Sequence, residues 1–197
     1  MATLNNYTPA RPWSGLPSLV VALLVAGAAA TSVRPNTFPG AIRSVSSPDG
    51  SGARIFYRPH MDRNGGQAHL VFYEDGLGHR TRVATVTRSM GVSWSPDGQR
   101  AFLQDNWGSN VADCYVLNLS TKVVTGISLF KIVQKSRGHP TGSEIPSASH
   151  YYVHCNRWRS PNFIEGAVSG HTDSNRSHDF DHPFVYDTKA RRIHWRR

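Results

Sequence analysis

Ser-Pro-Asp-Gly occurs twice in this chain, as Ser47-Pro48-Asp49-Gly50 and as Ser95-Pro96-Asp97-Gly98, 48 residues apart. Pro presets φ for a tight turn, Asp can bond the backbone two residues on, and Gly accepts positive φ because it has no Cβ. One such turn says little. Two at this distance, each followed by a short apolar run, predict a supersecondary unit that is copied along the chain.

The rest of the chain fits that expectation. Twelve short runs read as strands: 42–46, 54–58, 68–73, 81–87, 92–94, 101–104, 112–119, 123–127, 150–155, 163–169, 183–186 and 192–195. They are rich in Val, Ile, Phe, Tyr and Trp, and most are bounded by Gly, Pro, Asn, Asp or Ser. No run of helical length holds a 3.6-residue apolar period, so past the N-terminal segment no helix is expected. The expected fold class is all-β.

Aligning the units gives two clear copies and a third that is degraded. After the first turn come Arg54-Ile55-Phe56-Tyr57, then 68–73, then 82–86. After the second come Ala101-Phe102-Leu103-Gln104, then 113–119, then 122–127. In the third, Ser147–His150 stands in the place of the turn, 151–155 reads as the second strand, and 183–187 and 191–195 close the unit. That alignment leaves an insertion from near Arg159 to Asp181, with 163–169 as an extended hairpin arm.

Four short strands per repeat of roughly 40–50 residues is the pattern of propeller blades. The stretch Val92-Ser93-Trp94-Ser95-Pro96-Asp97-Gly98-Gln99-Arg100-Ala101-Phe102, running on to Tyr115-Val116-Leu117-Asn118-Leu119, resembles the TolB-type (WD-like) β-propeller repeat. The resemblance is good over 91–127, partial over 42–87 and weak over 147–195. It implies about three four-stranded antiparallel blades forming a partial β-propeller, with a β-sandwich as the alternative. It implies no chemistry, because one fold carries many functions. Closed propellers use typically four to eight blades. Three blades therefore imply an open arrangement, a homo-oligomer in which two chains complete a ring, or collapse into a sandwich.

The N-terminus has the layout of a secretory signal peptide. Arg11 precedes a stretch without charge from Pro12 to Val33, an apolar centre follows, and Ala28-Ala29-Ala30 offers a small-residue exit. A retained anchor is the alternative, but the apolar part falls short of the about 20 residues that a span needs. The expected organisation is a signal peptide over 1–30, a linker over 31–40 and a propeller-like β domain over 41–197. The expected location is exported, periplasmic or secreted, with no stable membrane span after cleavage. Of the 22 Lys and Arg only Arg11 precedes residue 31, so 21 stand against 13 Asp and Glu, a formal charge of +8. That excess favours acidic partners, either a protein or an acidic envelope polymer. No basic helix or nucleic-acid motif accompanies it, so no nucleic-acid partner is expected. An exported chain with two cysteines permits one disulfide, Cys114–Cys155; two separate buried thiols are the other reading.

Three places could carry chemistry. The segment 171–182 holds His171, Asp173, His178, Asp179, Asp181 and His182, residue types that ligate zinc and other transition metals, at a spacing that matches no established motif. Trp107 lies in a polar loop and could serve recognition or fold against the neighbouring blade; Asn156-Arg157-Trp158-Arg159 could meet an anion or a sugar ring, or be a strand end with Arg packed on Trp. There is no Gly-x-Ser-x-Gly elbow, Walker loop or dinucleotide fingerprint. No catalytic residue and no cofactor is therefore assigned. The expected function is an exported cell-envelope binding or scaffold protein. The alternatives are a metal-dependent hydrolase or lyase using 171–182, and a fragment of a longer propeller protein.

Overall fold

A computed structural model describes residues 36–39, 43–61, 63, 65–106, 111–121, 123–136, 150–172 and 175–196, with the backbone alone at 36–37, 172 and 175–179. Residues 1–30, expected to be a signal peptide, lie outside the described residues. The described chain is all-β apart from one short helix. Its elements are β1 (Asn36–Phe38), β2 (Ser44–Ser46), β3 (Arg54–Met61), β4 (Gln67–Glu74), β5 (Arg80–Val86), β6 (Met90–Trp94), β7 (Arg100–Asp105), β8 (Val111–Asn118), β9 (Thr125–Ser128), α1 (Leu129–Lys135), β10 (His150–Ser160), β11 (Phe163–Thr172), β12 (Asn175–Asp187) and β13 (Arg192–Trp195).

The strands fall into three successive antiparallel meanders: β2 to β5, β6 to β9, and β10 to β13. The first stands as its own sheet. The second and third merge because β8 and β10 pair in parallel, Val111 opposite Tyr151 and Ala112 opposite Tyr152. β1 extends this larger sheet by pairing with β6. Neither sheet closes on itself.

The middle meander is apolar on both faces, and this places it at the centre. Alternate residues of a strand point to opposite sides. On β7, Ala101 and Leu103 enter a core shared with the first meander, while Phe102 enters a core shared with the third. β8 does the same, with Leu117 on one side and Cys114 and Val116 on the other. Burial of apolar surface drives both associations, at about 25 cal/mol per Å².

The two Ser-Pro-Asp-Gly turns meet in space. In the second, the Ser95 hydroxyl donates to Asp97 Oδ1 at 2.6 Å, and the Gly98 N–H donates to the Ser95 carbonyl at 3.0 Å. Gly98 has φ +68, and a Cβ placed there would lie 2.5 Å from the Asp49 carboxylate of the first turn. Gly98 is thus required twice, for its backbone conformation and for the close approach. Gly50, at φ +74, has open space around its Cβ position.

A second feature repeats between the outer meanders. Glu74 on β4 is paired with Arg54 and Arg80, and Glu165 on β11 with Arg157 and Arg196. Hydrogen bonds from Arg80 and from Arg157, respectively, are the leading cause that holds each carboxyl below its usual range.

Several expectations change. Residues 36–38, within the stretch read as a linker, form β1, and Phe38 is fully buried. A helix, α1, follows β9 where none was expected. The third unit contains no inserted hairpin arm. The run 150–155 belongs to the first strand of its meander, not the second, and 163–169 belongs to the second strand. Long strands absorb the surplus residues: β10 to β12 have 11, 10 and 13 residues.

Candidate basic cleft

α1 is seven residues long, too short to hold on propensity alone. Its first turn is fixed by side chains. Ser128 is the N-cap, its hydroxyl accepting from the Lys131 N–H at 3.3 Å. Asp113 of β8 completes the cap. Its Oδ1 accepts the Phe130 N–H at 2.9 Å and the Cys114 N–H at 2.7 Å, and its Oδ2 accepts the Ser128 hydroxyl at 2.6 Å. Burial pushes the Asp113 carboxyl above its usual range, and these hydrogen bonds oppose the shift. Leu129 and Val133, four apart, are buried beneath the helix. Lys131 and Lys135 therefore face outward, into a cleft that Ile132 also lines while packing against the core.

The opposite wall is the turn between β12 and β13. Asp187 Oδ1 accepts the Lys189 and Ala190 N–H groups at 2.8 and 3.0 Å, and Arg191 turns the chain at φ 52. Arg191, Arg192 and Ile193 then line the cleft. Its floor includes Val83, Leu117, Gly126 and Ile127, and its volume is about 1060 Å³. Tyr115 borders it as a neutral phenol. Burial, helped by the charges of Asp113 and Asp105, raises its pKa to about 12.

Four cations thus surround an apolar floor, and no carboxylate is among the described lining residues. Lys131, Lys135, Arg191 and Arg192 form no ion pair with a described residue. The nearby carboxylates of Asp113 and Asp187 are engaged in capping α1 and the β12–β13 turn. An anion with an apolar body is the ligand chemistry such a surface accommodates.

Residues singled out in the sequence lie elsewhere. The segment 171–182 is mainly the hairpin of β11 and β12 rather than a polar loop. His171 sits opposite His150, their rings stacked at 4.1 Å. Asp181 sits opposite Ser169, on the face that carries His171. His182 sits opposite the buried Val168, on the other face. Strand alternation divides these side chains instead of gathering them. Asp173 lies outside the described residues, as do the side chains of His178 and Asp179. Among the described residues no group of three His, Cys, Asp or Glu could hold a metal ion.

Trp107 also lies outside the described residues. Trp158 is only 7% exposed. Its ring stacks on Phe102 at 6.0 Å, and its Nε1–H donates to the Ser93 carbonyl at 3.2 Å. It is a core residue and offers no platform to a sugar ring. The cleft itself was half legible. The doublet Arg191-Arg192 stands out in the sequence, and the Lys131–Lys135 spacing of four becomes a signal once the segment is known to be helical.

No family model matches the chain, and no curated protein matches it. Among solved structures, the chain is similar to the apo form of an isopeptidase, AtxE2, with 8% sequence identity and a TM-score of 0.44. The match covers 78% of this chain and 28% of that one, so the chain spans under a third of the length of the structure it matches. At this identity and TM-score the likeness carries no argument about activity.

Proposed function

We propose that the protein is an exported binding or scaffold protein of the cell envelope, built from three propeller-type blades, that contacts an acidic partner through the cleft between α1 and the β12–β13 turn. The observation that carries this reading is the set of four cations around an apolar floor, with no carboxylate among the described lining residues. Three successive four-stranded meanders support the blade reading. The Cys114–Cys155 disulfide, at a Cα separation of 5.9 Å, fits an oxidising compartment. The merged sheet ends at strands with one open edge, and a second copy of the chain completing a ring would cover such edges.

The test is expression of the full chain in a bacterium, followed by fractionation, intact-mass measurement and light scattering. The proposal expects protein outside the cytosol, cleaved near Ala30, carrying the disulfide and eluting as a discrete dimer. It also expects salt-sensitive binding to long-chain polyphosphate or polyglutamate. Unprocessed cytosolic protein with free thiols removes the export reading, and indifference to both polyanions removes the binding reading.

A further inference from the structure

The cleft has a feature that charge alone does not use. β9 pairs with β8 and with no other described strand. Its residues Gly126, Ile127 and Ser128 line the cleft, so the open edge of the strand faces into it. An open edge presents unpaired backbone N–H and C=O groups, a template for another extended chain. Short length and flanking cations, as here, keep such an edge from pairing indiscriminately.

We infer that the cleft takes an extended acidic peptide, which adds as a strand along the open edge of β9 and sets its carboxylates against Lys131, Lys135, Arg191 and Arg192. This rests on the binding reading above and names the partner and its mode of attachment. Alternation along an extended peptide puts carboxylates on one side and apolar residues on the other. The cleft offers both surfaces, cations at its rim and Val83, Ile127, Ile132 and Ile193 within. Its volume of about 1060 Å³ is at the upper limit of small-molecule sites, about 300–1,000 Å³, and suits a chain segment. A polysaccharide or polyphosphate could meet the cations, but it carries no ladder of amide donors and acceptors to meet the strand edge. Main-chain pairing supplies affinity in this recognition mode, and the alternate side chains supply specificity.

Fluorescence anisotropy on the full chain tests the inference, with an acetylated, labelled octapeptide alternating Glu and Val as probe. The same peptide N-methylated at every backbone nitrogen keeps every charge but has no amide N–H with which to pair along either edge. The expected result is binding of the first peptide and a loss of at least about tenfold on N-methylation. Reversing two cleft charges, Lys131→Glu with Arg192→Glu, should cost at least about tenfold, while Arg88→Glu outside the cleft should stay within about twofold. An unchanged melting temperature checks that the double variant folds, and if it does not, the N-methyl comparison on the unaltered chain still decides. Equal affinity for both peptides, or an equal loss in Arg88→Glu, overturns the inference. If polyphosphate binds while N-methylation has no effect, the peptide inference fails and the binding reading stands. If no probe binds, both fail.

Discussion

The two seams between the meanders are built differently. Where the first meets the second, contact is mostly apolar: Ile55, Val71 and Val86 pack on Val92, Leu103 and Leu117. Directional contacts there are few. The Trp94 Nε1–H donates to the Val45 carbonyl at 3.1 Å, and the paired turns touch at Gly98. Where the second meets the third, an apolar core is joined by backbone pairing of β8 with β10 and by the disulfide. Gln104, 8% exposed, adds two bonds across the seam and one to its own neighbour β8. Its Nε2 donates to the Asp113 and Val153 carbonyls at 3.2 and 2.9 Å, and its Oε1 accepts the Cys155 N–H at 2.8 Å. Apolar burial has no direction and tolerates sliding, whereas hydrogen bonds and a covalent link fix a register. The second seam is therefore the one that specifies geometry, and the basic cleft lies beside it, on α1, β9 and β13.

The sharpest contrast is covalent. Replacing both Cys114 and Cys155 by Ala opens a link of sequence separation 41. It should cost about 4 kcal/mol in the chain-entropy account, read as a lower urea midpoint. A cost near zero would mean that the seam does not depend on its cross-link. Next is Gln104→Leu, which leaves the buried Cys155 N–H and two carbonyls without this partner. It should cost about 3 kcal/mol by urea unfolding, against about 1 kcal/mol for Trp94→Phe at the other seam. Equal costs would erase the distinction between the seams.

A smaller effect tests the turn contact. Gly98→Ala should cost about 2 kcal/mol, because it adds a clash with Asp49 to the strain of positive φ. Gly50→Ala meets only the strain, about 1 kcal/mol. Thermal melts of the two variants make the comparison directly.

The smallest effect is electrostatic, and its sign differs between sites. Asp113 is raised by burial, so on increasing pH the unfolded chain ionises first. Its contribution is most favourable below the unfolded carboxyl value and declines as pH rises toward the folded one. Asn at this position keeps an acceptor for the Phe130 N–H and removes the decline. Asp113→Asn should therefore sit within about 1 kcal/mol of the parent at neutral pH, with a flatter pH profile. Glu74 and Glu165 are lowered by their arginines, so their contribution is present above the unfolded value and is lost on acidification. Unfolding curves from pH 3 to 7 should show both slopes, and a profile unchanged by Asp113→Asn would remove Asp113 as the origin of the first.

Much of the fold was legible because its signals are local. Runs of β-branched and aromatic residues between turn residues located twelve strands, ten of them to within about three residues, while β10 runs five residues past its expected end and β12 begins eight before its expected start. β1 escaped because three residues cannot show a period, and its strand character comes from pairing with β6. α1 escaped because seven residues cannot show a helical period and part of its cap is remote: Asp113 lies 17 residues before the Phe130 N–H that it accepts. The third meander was misaligned because no turn motif marks its start and its strands are unusually long.

The candidate site divides along the same line. The sequence by itself determined the all-β class, the repeated turn, the basic excess and the pair of cysteines able to join. Only the tertiary structure decided that β10 lies parallel to β8, that His171 and His182 take opposite faces, and that Lys131, Lys135, Arg191 and Arg192 surround one cleft beside an open strand edge. The reason is physical. Backbone conformation and alternation are set within a few residues, whereas a site is a convergence of segments about 60 residues apart, chosen by which apolar faces bury each other best.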